Sequence, residues 1–256
     1  MPRLTSVQEL SSIREGGKIL AEVLEKAQEL VVPGMETAYI DRVIEETIRA
    51  KGGTPAFKGY RGYPASSCIS INEQVVHGLP GERVIQKGDL VSIDVGLEWQ
   101  GLFTDAAFSL VVGRMDDKAE RLLNACREAL SAGIREARPG NRVGNISQAV
   151  QQTIEEAGYS VVRDFVGHGL GHSLHEEPQI PNFGRRGDGM LLKSGMVVAI
   201  EPMANEKGFQ VKVLDDGWTV VTADGGLSAH FEHTVLIGPD SPEILTRSPR
   251  RDSLHQ

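Results

Sequence analysis

Gly88-Asp89-Leu90-Val91-Ser92-Ile93-Asp94 and, 107 residues on, Gly195-Met196-Val197-Val198-Ala199-Ile200-Glu201 are two runs of one build. Each opens at a glycine, continues through mostly apolar and β-branched residues, and reaches a carboxylate six residues later. Short apolar runs bounded by glycine read as buried strands. A carboxylate there is strongly unfavourable without a partner, and few basic residues stand nearby. A bound cation explains both runs. Buried salt bridges are the plainer alternative, and they need partners that these stretches do not offer.

Working outward, the runs belong to a longer repeat. A helix is predicted to start at Ser6, with Glu9 completing a capping box. Ile13, Leu20, Val23, Leu24, Ala27 and Leu30 follow at helical spacing until Pro33-Gly34. A second helix is expected over about 37–51, stopped by Gly52-Gly53. Short β-type runs come next at 69–71, 90–95 and 107–112. Then helices recur over about 118–137 and on to 157, stopped by Pro139-Gly140 and Gly158. Gly34 to Gly52 covers 18 residues, and so does Gly140 to Gly158. Phe57-Lys58-Gly59-Tyr60 likewise resembles Phe165-Val166-Gly167-His168. The expected architecture is two αβ halves related by a pseudo-two-fold axis. A single catalytic domain over 1–256 is expected, with halves at about 1–115 and 116–245 and a tail over 246–256.

Composition narrows the class. The chain has 256 residues, 40% hydrophobic and 24% charged, enough for one large domain with its own core. A net charge of −8 argues against electrostatic nucleic-acid binding, although the tail after Arg247 is locally basic. Cys68 and Cys126 form no CxxC pair, which fits a reducing cytosol. The start Met1-Pro2-Arg3 has no apolar signal region, and no apolar run is long enough to span a membrane. A cytoplasmic location is expected.

Asp105, His168 and Glu232 join Asp94 and Glu201 as candidate ligands. Four hard carboxylates and one imidazole suit Mn, Fe, Co or Zn better than a structural zinc site. The repeat sharpens this, because Asp94 and Glu201 occupy equivalent places and would converge on the axis between the halves. The segment Gly167-His168-Gly169-Leu170-Gly171-His172-Ser173-Leu174-His175 spaces two histidines like a helical zinc site. Its glycines argue instead for an extended loop at a cleft. His233 follows Glu232 directly, so on a strand it faces the other way and reads as a satisfied or supporting histidine. His77, after the run ending at Val76, is a candidate substrate-binding group. No GxSxG elbow, P-loop or GxGxxG before a helix is present.

Together these stretches resemble type I methionine aminopeptidases over nearly the whole chain. The resemblance is carried by Cys68-Ile69-Ser70-Ile71-Asn72-Glu73-Gln74-Val75-Val76-His77-Gly78-Leu79-Pro80 and by Ser92-Ile93-Asp94-Val95 with Asp105 eleven residues after Asp94. It is carried further by Gly167 through Pro178, Ile200-Glu201-Pro202-Met203, Asp216-Gly217-Trp218-Thr219 and Phe231-Glu232-His233-Thr234. It implies the pita-bread fold, an α+β architecture with two pseudo-symmetric αβ halves around a central antiparallel curved sheet, and two divalent metal ions, of Co, Mn, Fe or Zn. Asp105, His168, Glu201 and Glu232 would hold one ion, and Asp94, Asp105 and Glu232 the other. The implied reaction removes the initiator methionine from nascent chains whose second residue is small, with a metal-bridged water attacking the scissile carbonyl. Glu201 would shuttle protons, His77 would contact the scissile amide, and His175 would stabilise the oxyanion. Tyr60, Tyr63, Cys68 and Trp218, with Leu174 and Phe57, would line the methionine pocket.

The implied partners are peptides with N-terminal methionine and nascent chains, with transient ribosome contact, no membrane, no specific nucleic acid, and a monomeric state. Phe57, Leu174 and His230 stand where some relatives carry Cys, Phe and Gln, which bears on pocket shape and on metal or inhibitor preference. A prolidase or Pro-specific aminopeptidase of the same fold is the alternative enzyme. Such enzymes usually carry an added N-terminal domain, for which little chain precedes Cys68. A metal-free binding module of this fold is the alternative outside catalysis, and the intact ligand set argues against it.

Overall fold

The structure is a computed structural model and describes residues 3–113 and 117–248. The expected join of the halves at 115/116, His255 and the end of the basic tail lie outside the described residues.

Helix α1, Val7–Leu30, begins at Ser6, whose hydroxyl accepts from the Glu9 N–H while the Glu9 carboxylate accepts from the Ser6 N–H. That is the expected capping box, and it satisfies amides the first helical turn leaves open. Helix α2, Thr37–Ala50, buries Ile40, Ile44 and Ile48, none more than 1% exposed. The four-residue spacing puts them on one stripe, and each contributes about 1.5–3 kcal/mol. Helices α3, Asp117–Glu136, and α4, Val143–Glu156, form a second pair. They approach closely at Gly133, where a Cβ would stand 2.8 Å from Cγ2 of Val150.

The expected strands 90–95 and 107–112 are pieces of a longer hairpin, Leu90–Trp99 with Leu102–Val111, turned by Gln100 at φ 52 and Gly101 at φ 78. The prediction stopped short because Gly96, Glu98, Thr104 and Asp105 interrupt the apolar run. Strand Leu90–Trp99 also pairs with Cys68–Ile71 and Thr54–Pro55. A five-stranded sheet runs in the order Pro242–Ile244, His233–Ile237, Val197–Ile200, Gly167–Gly169, Glu176–Ile180. Two three-stranded sheets complete the β structure. All strand pairings among the described residues are antiparallel. An antiparallel bridge between Ala107 and Glu232 joins the hairpin to the five-stranded sheet. Helices from both pairs share one apolar core with these strands. No described helix is long and apolar enough to cross a membrane.

Candidate metal centre and substrate cleft

The bridge that joins the two sheets also brings the carboxylates together. Asp94 stands in register between Cys68 and Ala107, and Asp105 stands opposite Gly96 across the hairpin. Glu232 is held against the same hairpin, its N–H donating to the Ala107 carbonyl at 3.0 Å and its carbonyl accepting from the Ala107 N–H at 3.3 Å. Glu201 directly follows strand Val197–Ile200, which pairs with the strand that begins one residue after Glu232. His168 lies on the neighbouring strand, Gly167–Gly169. That strand runs tight beneath Val197–Ile200: a Cβ at Gly167 would lie 2.4 Å from the Ala199 carbonyl oxygen. Glycine is required there by the close approach of two backbones.

Asp105, His168 and Glu232 are buried, and each offers a donor atom within 4.8 Å of the other two. Glu201 approaches Nε2 of His168 at 3.6 Å, and Asp94 hydrogen-bonds Asp105. No lysine or arginine pairs with any of these carboxylates among the described residues. One oxygen each of Asp94, Asp105 and Glu232 is buried without a hydrogen-bond partner. Burial raises the Asp94 pKa to about 7, with the hydrogen bond from Asp105 pulling the other way. Burial raises Asp105, Glu201 and Glu232 well above the ordinary carboxylate range, and the neighbouring carboxylates add to it. Burial lowers His168 to about 4, against the opposing pull of the Gly169 carbonyl. Mutual repulsion of acids beside a neutral imidazole is the electrostatics of a cation site. Hard oxygens with one imidazole and unpartnered lone pairs fit a divalent cation of the Mn-to-Zn range.

Supporting contacts fix the donors. Nδ1 of His168 lies 3.0 Å from the Gly169 carbonyl, which can only accept, so Nδ1 carries the hydrogen and Nε2 is the free donor atom. The Thr234 hydroxyl donates to the Asp105 carbonyl at 2.7 Å and accepts from the Asp105 N–H at 2.8 Å. This role of Thr234 was missed in the sequence. Its signal is the i, i+2 relation to Glu232, which puts both on one strand face. Buried His230 lies behind the ligands, with Nε2 3.8 Å from Oε2 of Glu232, and burial lowers its pKa to about 3.

A cavity of about 170 Å³ opens over the carboxylates, and all thirteen site residues named from the sequence line it, together with Arg61. Arg61 was not foreseen. Phe57, Tyr63, Cys68 and Leu174 form the buried apolar end, joined by the partly buried Tyr60 and Trp218. Tyr63 packs edge-on against Trp218 at 5.1 Å and against Phe57 at 6.5 Å. Its hydroxyl donates toward the carbonyls of Ser67 at 3.1 Å and Gly78 at 3.3 Å, fixing the ring. Asp216 accepts from the Trp218 N–H at 2.8 Å and sets that turn. Burial pushes the Cys68 thiol well up, so it is a neutral wall atom rather than a nucleophile.

His77 follows strand Gln74–Val76 at φ 59, its ring edge-on to Phe165 at 5.4 Å. His175 stands at the mouth, and burial among His168, Arg61 and His77 lowers its pKa to about 3. His172 does not join the cluster; its Nε2 lies 3.1 Å from Oε1 of Glu9 and ties the loop to the start of α1. His233 faces away, with Nδ1 2.8 Å from the Thr246 hydroxyl. Both placements follow from the extended loop and the strand parity expected from the sequence.

Comparison with known proteins gives the same direction. Residues 11–239 match the model of metallopeptidase family M24. A methionine aminopeptidase of Clostridium perfringens is 52% identical over 95% of this chain and 98% of its own length. Methionine aminopeptidase 1 of Bacillus subtilis is 47% identical over 94% and 97%. The crystal structure of methionine aminopeptidase from Thermotoga maritima superposes with a TM-score of 0.94 at 44% identity, covering 96% of this chain and all of that one. The prolidase of Pyrococcus furiosus reaches 0.79 at 24% identity, covering 96% of this chain and 66% of that one, a likeness of fold alone.

Proposed function

The chain belongs to metallopeptidase family M24, and we propose that its Asp–His–Glu cluster holds two divalent metal ions for the cleavage of N-terminal methionine. Its fold is the pita-bread fold of that family, and its activity is metal-dependent removal of the N-terminal methionine. In this reading Asp105, His168, Glu201 and Glu232 hold one ion, and Asp94, Asp105 and Glu232 the other. The observation that carries it is the convergence of the buried acids on one imidazole, with lone pairs unpartnered and, among the described residues, no basic residue to pair them.

Bound divalent cations supply Lewis acidity and make water a better nucleophile at neutral pH. The chain's own residues do the rest. Phe57, Tyr63, Cys68, Leu174 and Trp218 take the methionine side chain out of water, a neutral apolar wall for a flexible thioether. His77 and His175 flank the scissile amide, and a neutral imidazole N–H at His175 stabilises the oxygen as it gains charge. Glu201 takes the proton from the attacking water on a carboxylate oxygen and passes it to the leaving amine. The substrates are peptides and nascent chains with a small second residue, met in the cytosol.

The test is release of methionine from Met-Ala-Ser and Met-Lys-Ser after chelation and addition of Mn or Co. Turnover of the first and not the second is expected. Failure with every divalent metal overturns the enzyme reading, and equal turnover overturns the specificity.

A further inference from the structure

The phenol oxygen of Tyr60 lies 2.9 Å from Nδ1 of His175, and the two rings stack at 5.1 Å with 25° between their planes. On its other side the His175 ring meets that of His168 at 4.2 Å. The Tyr60 ring is itself covered by the Arg61 guanidinium, 5.4 Å from its centroid. The backbone beneath is a single 3₁₀ turn, Tyr60–Gly62, entered through Gly59 at φ 86 and holding Arg61 at φ 50, ψ 22. A non-glycine residue in the left-handed region costs free energy, and such conformations gather at functional sites. A phenylalanine would close the wall and stack equally well. The hydroxyl adds one thing, a bond to one chosen nitrogen of His175.

We propose that Tyr60 is a positioning residue for the reaction: its O–H donates to Nδ1 of His175, so the imidazole hydrogen sits on Nε2 and is aimed at the substrate carbonyl. A neutral imidazole has one donor and one acceptor nitrogen, and its neighbours decide which is which. Among the described residues no other group hydrogen-bonds either nitrogen of His175. An oxygen gaining negative charge needs a donor. The opposite arrangement, Nδ1–H donating to the phenol, would turn a lone pair toward that oxygen and repel it. Stacking on Tyr60 sets the ring plane, and the hydroxyl sets the tautomer. The inference rests on the peptidase reading above.

The experiment compares Tyr60→Phe, His175→Ala and the double variant on Met-Ala-Ser with added Mn, alongside ¹⁵N spectra of the histidine rings. Tyr60→Phe should leave KM nearly unchanged and lower kcat about five- to tenfold, the scale of one lost hydrogen bond. In the His175→Ala background the same change should cost nothing further, because both act through one ring. In the unaltered protein His175 should show a bare Nδ1 and a protonated Nε2, and in Tyr60→Phe a mixture of tautomers. A higher KM with kcat intact would make Tyr60 only a pocket wall. An equal loss in the His175→Ala background, or a protonated Nδ1 in the unaltered protein, would overturn the proposal. If the unaltered protein released no methionine at all, the peptidase reading would fail, and the ring spectra would still decide the tautomer.

Discussion

His168 donates its Nδ1–H to the carbonyl of Gly169, 3.0 Å away, and so turns Nε2 toward the buried acids. The ring is fixed before any cation arrives, since strand Gly167–Gly169 is clamped under Val197–Ile200. His168→Ala should therefore fold and lose metal rather than unfold. The expected result is lower metal content after dialysis and turnover down roughly 100-fold or more, since losing only a ligand's outer partner already costs about 10–100-fold. Unchanged metal content and turnover would remove His168 from the ligand set.

The wall at Phe57 depends on a missing side chain. Gly96 lies opposite Asp105, and a Cβ there would stand 2.6 Å from the Phe57 ring. Gly96→Ala should push that ring into the apolar end of the cleft. KM for Met-Ala-Ser should rise about tenfold, as expected when a buried contact worth one or two methylenes is lost, with kcat changed far less. A fall in kcat at constant KM would mean that the strain reaches Asp105 instead.

Glu201→Gln keeps the shape of the side chain and removes its charge and its proton-carrying role. Turnover should fall by roughly 10²–10⁴, the range for a general acid–base group. Chelated Glu201→Gln should melt at a higher temperature than the chelated parent at pH 8, because an acid raised by burial and by the charges of Asp94 and Asp105 is gone. Near-parental turnover would refute the role. A lower melting temperature would show instead that the carboxylate is paired in the metal-free protein.

Much of this site was legible in the sequence because its physics is local. An acid inside a Val/Ile run, as at Asp94, is anomalous whatever the fold, and the glycines around His168 exclude a helix. The capping box at Ser6 and Glu9 was readable for the same reason. Other features needed the third dimension. The hairpin from Leu90 to Val111 is longer than expected because its backbone stays paired through Gly96, Glu98, Thr104 and Asp105, where the apolar pattern breaks. Arg61 carries no pattern that distinguishes it from a solvated loop residue; its importance lies in a left-handed backbone and a ring beneath it. The bond from Thr234 to Asp105 joins residues 129 apart in the chain.

The metal-free protein should lose stability as pH rises through neutrality. Burial raises the native pKa of Asp94 to about 7 and those of Asp105, Glu201 and Glu232 well above the ordinary range. In the unfolded chain the same acids titrate near pH ~4. Between those values the native state holds more protons than the unfolded one, so the free energy of unfolding falls with increasing pH. The stability that protonation provides is complete below about pH 4 and disappears through about pH 7 for Asp94, and the other three acids shift in the same direction. Glu45 and Glu9, lowered to about 2 by their hydrogen bonds, act oppositely only in acid, whereas His168, His175 and His230, lowered by burial to about 4, 3 and 3, act oppositely up to their unfolded value near pH ~6.5, so the acids act alone only above that. Thermal melts of chelated protein from pH 7 to 8 should therefore show a falling midpoint. Added Mn should raise the midpoint most at pH 8, where ionised ligands bind without first losing protons. A midpoint that stays level or climbs across that range in the chelated protein would mean the acids are already compensated by groups of the chain itself.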